Sequence, residues 1–126
     1  MSANNAEQQY RPAGKQSFLV FKNNKYMTVP VASIAFFYVK YDSSVIVCFD
    51  HKEYFVNYSL EQIQSLVADT EFFRVNRQYL VHFVAVKEVE HYFARKLLVN
   101  LAVPVEDKVI VPKEKSSVFL HWLENR

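Results

Sequence analysis

One glycine, Gly14, serves the whole 126-residue chain, and it lies in a polar N-terminal stretch. The P-loop, the GxGxxG dinucleotide turn and the GxSxG elbow each need glycine where backbone approaches a ligand or turns sharply. All three are excluded. Downstream, short groups of Asn, Asp and Ser mark the turns, asparagine because it tolerates positive φ. Between such polar groups the chain is strongly apolar. Hydrophobic residues make up 51% and aromatic residues 16%, enough for a packed core and too many for disorder throughout. No apolar run reaches the roughly 18 residues of a membrane span, so the sequence predicts no membrane association. The single cysteine, Cys48, excludes an internal disulfide and a multi-cysteine zinc site. Without a disulfide or a secretory signal, the chain reads as cytoplasmic.

Residues 1–16 carry almost no bulky aliphatic side chains and read as a disordered tail or linker. Residues 17–126 read as one domain. From Ser17 the pattern is β. Ser17–Lys22 and Lys25–Val29 flank an Asn23-Asn24 turn suited to a hairpin. Ile34–Tyr41, Val45–Phe49 and Glu53–Asn57 are separated by short polar turns and predict an antiparallel meander. The period then changes. Leu60, Ile63 and Val67 recur at helical spacing, and Ser59 with Gln62 forms a capping box, predicting a helix over about 59–68. Apolar runs resume at Phe72–Val75 and Tyr79–Val86, interrupted by Asn76-Arg77-Gln78. Lys87–Phe93 and Lys96–Leu101 predict a hairpin around Ala94-Arg95, and Lys108–Val111 a further strand. Pro112 suits the first turn of a C-terminal helix over about 113–124, burying Val118, Phe119, Trp122 and Leu123. The fold class is therefore mostly β and antiparallel, with one internal and one C-terminal helix.

Catalysis finds no carrier. His51, His82, His91 and His121 show no metal-ligand spacing, and no HExxH occurs. Cys48 sits within a buried-looking strand, and Glu88 and Glu90 on a solvated strand face. No catalytic residue, metal or cofactor is expected. Charge is more informative in its distribution than in its net value of +2. Residues 58–71 carry three carboxylates and no base, whereas residues 72–115 carry eight bases against five carboxylates. A fold that segregates these would offer a phosphate-binding face. Asn76-Arg77-Gln78 is the sharpest local feature. Arg pairs bidentately with guanine O6/N7, and Asn or Gln with adenine N6/N7. The plainer reading is a polar loop whose side chains bond the local backbone.

The segment Phe72-Phe73-Arg74-Val75-Asn76-Arg77-Gln78-Tyr79-Leu80-Val81 resembles the hallmark segment of the LytTR family of bacterial DNA-binding domains. Val29–Phe37, Lys96–Leu101, Val109–Lys115 and Phe119–Leu123 are similar to flanking segments of that family in the same order. The resemblance spans about residues 17–124. It implies a mostly antiparallel β domain that inserts loops into successive major grooves at paired direct repeats. It further implies the output half of a two-component response regulator, with an upstream receiver domain, a sensor histidine kinase acting on it, and a homodimer on promoter DNA.

Three loops match the DNA-facing loops of that family. They are Asp42-Ser43-Ser44, Asn76-Arg77-Gln78 and Lys113-Glu114-Lys115. The resemblance implies Arg77 as main base reader with Asn76 beside it, Gln78 in the same loop, Lys113 and Lys115 on phosphate or guanine, and Ser43 and Ser44 on the backbone. Arg74 is expected to brace the loop or reach a phosphate. The chain departs from the family pattern at Pro112-Lys113, where Ser-Arg is common, and at His82, where asparagine is common. A competing reading is a β-rich protein-interaction module without DNA binding, in which an exposed Ile34–Tyr41 strand pairs with a partner edge.

Overall fold

The computed structural model describes residues 14–126. Most of the expected N-terminal tail, residues 1–13, lies outside the described residues. Of its last three residues, Lys15 donates its backbone N–H to Leu66 O at 2.6 Å and Gln16 O accepts from Val31 N–H at 2.9 Å.

The described chain is mostly β, with ten strands and two α-helices, and every strand pairing is antiparallel. β1 (Ser17–Lys22) and β2 (Lys25–Pro30) form a hairpin. Its turn holds Asn23 and Asn24 at φ 54° and 62°, the conformation asparagine tolerates. β3 (Ile34–Lys40), β4 (Ser43–Cys48) and β5 (Glu53–Val56) form the expected meander. After helix α1 (Leu60–Leu66) come β6 (Phe72–Arg74) and β7 (Tyr79–His82), which complete a five-stranded sheet of order β5-β4-β3-β7-β6. β8 (Val86–Tyr92), β9 (Lys96–Leu101) and β10 (Val109–Val111) form a second sheet of order β10-β9-β8, and α2 (Lys113–Glu124) ends the fold.

The five-stranded sheet is covered on both faces, which explains why its strands read as continuous apolar runs. Val45, Val47, Tyr79 and Val81 point into one core, closed by Leu97, Val99, Val109, Val111, Phe119 and Trp122. Phe37, Ile46 and Leu80 point into the other, closed by Phe18, Val20 and Val29 of the hairpin and by Leu60 and Ile63 of α1. A bulge between Ile34 and Phe36 lets the consecutive Ala35 and Phe36 enter the same core.

Several boundaries differ from the sequence expectation, each for a local reason. Helix α1 starts at its capping box, with Gln62 N–H to Ser59 Oγ at 3.1 Å and Ser59 N–H to Gln62 Oε1 at 2.9 Å. It stops at Leu66, because Val67 turns to an extended conformation and drops into the core. Tyr79–Val86 is not one strand. His82 Nδ1 accepts the Val84 N–H at 3.0 Å and caps a short 3-10 turn, Phe83–Ala85, that carries the chain from one sheet to the other. Pro112 is extended and precedes α2 as its cap residue rather than forming its first turn. Val118 is exposed, because Phe119 and Trp122 set the inward face of α2. Ile34–Tyr41 is no exposed edge. β3 is hydrogen-bonded on both sides, to β4 and β7, so the partner-edge pairing envisaged for it has no free strand.

Candidate nucleic-acid interface

Strand register gathers the three expected loops at one end of the molecule. β7 starts at Tyr79, opposite Tyr38 of β3, so residues 76–78 lie beside the last residues of β3. Val39 N–H donates to Gln78 O at 3.1 Å there. The β3–β4 hairpin turns at the same end. From the other sheet, Ile110 O accepts from Asn76 Nδ2 at 2.8 Å, which draws the end of β10 and the start of α2 against the loop.

The Asn76-Arg77-Gln78 turn is determined by its own side chains. Asn76 Oδ1 accepts from Gln78 N–H at 2.8 Å and from Tyr79 N–H at 3.0 Å. With both lone pairs used and one amide hydrogen held by Ile110, Asn76 has no amide edge left for adenine. Its side chain anchors the loop. Arg74 braces the same turn, with Nε to Asn76 O at 3.0 Å and Nη2 to Arg77 O at 2.7 Å. Lys115 reaches back from α2 and donates Nζ to Arg74 O at 3.2 Å. Among the described residues, the Arg77 side chain makes no hydrogen bond and is exposed at the crest of this platform, with Gln78 exposed beside it.

The other two loops are less uniform. Lys113 is exposed as the first residue of α2. Ser43 and Ser44 belong to β4 rather than to a loop, because the turn is the two-residue Tyr41-Asp42 at φ 50° and 65°. Ser43 is exposed at the strand start, whereas Ser44 pairs with Val56 and is buried. The tip of this hairpin is therefore Tyr41, which is 90% exposed. In the sequence Tyr41 ends the aromatic run Ile34–Tyr41, and only a two-residue turn count sets it at the tip.

Arg74, Arg77 and Lys115 line one open groove of about 710 Å³, joined there by Arg126. Arg126 donates Nη1 to Thr70 O at 2.6 Å and lies 5.5 Å over the Trp122 ring. Nothing in the sequence pattern pointed to it. Burial lowers the pKa of Arg74, against a smaller opposing pull from Glu61. Lys115 is likewise lowered, by burial first and then by the neighbouring Arg74 charge. The acidic segment is not segregated from this cluster. Asp69 lines the groove and the charge of Glu61 acts on Arg74, although four bases, Arg74, Arg77, Lys115 and Arg126, face that one lining carboxylate. Among the described residues, no group of three or more His, Cys, Asp or Glu side chains could hold a metal ion, and no helix is long and apolar enough to cross a membrane.

Comparison with known proteins gives a consistent result. The family profile of the LytTr DNA-binding domain matches residues 24–124. Among solved structures, the chain is similar to the LytTr DNA-binding domain of a protein assigned as a methyl-accepting/DNA response regulator from Bacillus cereus. The two superpose with a TM-score of 0.74 at 18% identity, over 87% of this chain and 98% of the other. No curated protein matches the chain in sequence.

Proposed function

The chain belongs to the LytTR family of DNA-binding domains, and from that premise we propose that it binds duplex DNA sequence-specifically to regulate transcription in the cytoplasm. The observation that carries this reading is the crest. Arg77 projects from a turn fixed by Asn76 and Arg74, while Lys113 and the β3–β4 tip flank it at the same end of the fold. A guanidinium with unused donors, on a platform that cannot easily move, suits bidentate guanine recognition in a major groove.

In this reading Arg77 is the main base reader and Gln78 its neighbour. Lys113 contacts phosphate, since a point charge lacks the guanidinium fork. Ser43 contacts the DNA backbone from the β3–β4 end. Arg74, Asn76 and Lys115 hold the loop, and Ser44 supports the strand from inside. The site is a pair of direct repeats read in successive major grooves, occupied by two copies of the domain. As an output domain it would sit behind a receiver domain that a sensor histidine kinase phosphorylates.

The test is selection of bound duplexes from a randomised pool at two salt concentrations. A motif repeated at about one helical turn, with affinity falling steeply with salt, is the expected result. Arg77→Ala should then cost about 1–3 kcal/mol of affinity and relax one base position. A uniform loss over all sequences would remove Arg77 as base reader, and no enriched motif would remove sequence-specific binding.

A further inference from the structure

We propose that the cavity between the five-stranded sheet and the 103–107 loop is a binding site for a small organic cation, an alkylammonium or a guanidinium group. The cavity holds about 310 Å³, at the lower end of the small-ligand range of about 300–1,000 Å³. Its walls are aromatic. Tyr38 and Tyr79 stack with centroids 5.7 Å apart and planes 9° apart, and Phe36 tilts against both at 5.8 and 5.9 Å. Its charged lining groups are mostly acidic, with Glu53 of β5 and Glu106 and Asp107 of the loop set against the single ammonium of Lys40. Aromatic faces attract cations through the ring quadrupole, and carboxylates supply the opposite charge. A bare metal ion does not suit this arrangement, since among the described residues no three acidic, His or Cys side chains converge closely enough to hold one. The occupant needs an apolar body for the rings as well as a charge for the carboxylates.

A second observation is independent of the charges. Tyr79 is only 2% exposed, yet its one hydrogen bond involving a side chain runs from its backbone N–H to Asn76. Among the described residues its hydroxyl has no partner. No fully buried side-chain nitrogen or oxygen among the described residues lacks one, so this hydroxyl keeps some access, and the cavity is the space that Tyr79 lines. Buried tyrosine hydroxyls ordinarily find a partner. An ammonium or guanidinium N–H would donate to this oxygen while its alkyl chain lies on the rings.

The test is titration of the full chain with n-butylammonium chloride, followed by backbone amide shifts. Controls are sodium chloride at equal ionic strength and the neutral n-pentanol. Saturable shifts at Val39, Glu53 and Tyr79 with the ammonium alone are expected. Both Glu106 and Asp107 are exposed, so Glu106→Gln with Asp107→Asn should leave the fold intact, as its amide spectrum would show, and weaken binding by about tenfold or more. Tyr79→Phe, which keeps the ring and loses the acceptor, should weaken it less. A parallel titration with Nα-acetyl-lysine amide separates the sources. Equal affinity points to a free amine, and tighter binding of the lysine amide points to a side chain presented by a partner. Equal shifts with n-pentanol or sodium chloride, or unchanged affinity in the double variant, overturn the proposal. The readout is independent of DNA, so its failure leaves the DNA-binding reading untouched.

Discussion

The β3–β4 turn and the β6–β7 turn stand at the same end of one sheet and are held by opposite means. Tyr41-Asp42 is a backbone turn. Two residues at positive φ connect two strands, and among the described residues no side-chain hydrogen bond supports them. Asn76-Arg77-Gln78 is a side-chain turn, closed by Asn76, clamped by Arg74 and tied to the second sheet through Ile110. A two-residue turn between twisted strands is a low-energy solution that needs only tolerant residues. A three-residue polar interruption needs its own partners. The second design is the one that can present an arginine in a fixed orientation, because displacing Arg77 means breaking several bonds at once.

The comparison breaks most severely at Asn76. Asn76→Ala removes three hydrogen bonds and leaves the Ile110 carbonyl without its donor, at about 1 kcal/mol for each bond. A loss of about 3 kcal/mol in urea unfolding is expected, together with weaker DNA binding although Arg77 is untouched. Asn76→Asp keeps the acceptor but turns a carboxylate toward Ile110 O, and should fall between the two. If Asn76→Ala unfolds at the same urea concentration as the parent chain, the turn is not held by its side chains.

Arg74 gives a smaller and more selective effect. Arg74→Lys retains charge and loses the fork that spans the carbonyls of Asn76 and Arg77. We expect about 1–2 kcal/mol of destabilisation and a DNA affinity lowered with the base preference blurred. Were Arg74 a phosphate contact instead, lysine would substitute well and preference would stay sharp.

These two residues also show where the sequence was legible. Strand order in the meander, the capping box at Ser59 and the Asn23-Asn24 hairpin depend on local periodicity and turn chemistry, which a string of residues displays directly. The grouping Asn76-Arg77-Gln78 was visible as a polar interruption. Its division of labour was not, because Asn76 is committed by Ile110, which lies 34 residues away. The same holds for Arg126 against Thr70 and for Val118, whose exposure follows from the packing of Phe119 and Trp122. Ser44 stands in a sequence group, Asp42-Ser43-Ser44, whose residues favour turns. The ladder to Val56 overrides that preference once Tyr41 accepts positive φ.

At the far end of β7, His82 does for the next turn what Asn76 does for the previous one, and it can be titrated. Its Nδ1 accepts from Val84 N–H at 3.0 Å, which requires that nitrogen unprotonated. Burial lowers its pKa from 6.5, against a weaker pull from Glu71. A depressed folded-state pKa means that the unfolded chain takes the proton first. The contribution is therefore present above pH 6.5 and lost as pH falls below it. His82→Asn keeps an acceptor of similar reach without the proton. It should flatten the stability profile below that pH, measured as urea midpoints from pH 7.5 downward. A profile identical to the parent would assign the acid loss to the carboxylates instead.

The mildest test is at the backbone turn itself. Tyr41 occupies φ 50°, a region where a bulky L-residue is strained, and 90% of its surface is exposed, so little packing compensates. The hairpin at Asn23-Asn24 solves the same geometry with tolerant residues at φ 54° and 62°. Tyr41→Asn transfers that solution and should raise stability by about 0.5–1 kcal/mol. The equivalent substitution in the other turn, Arg77→Asn, should change stability little, because there the conformation is fixed by neighbours rather than by the crest residue. If Tyr41→Asn is neutral or destabilising, the exposed ring makes up for the strain through contacts with its neighbours, and the β3–β4 turn is then held by a side chain as well. Measuring both variants by urea unfolding decides which side chain at this end of the sheet supports its turn and which is merely carried by it.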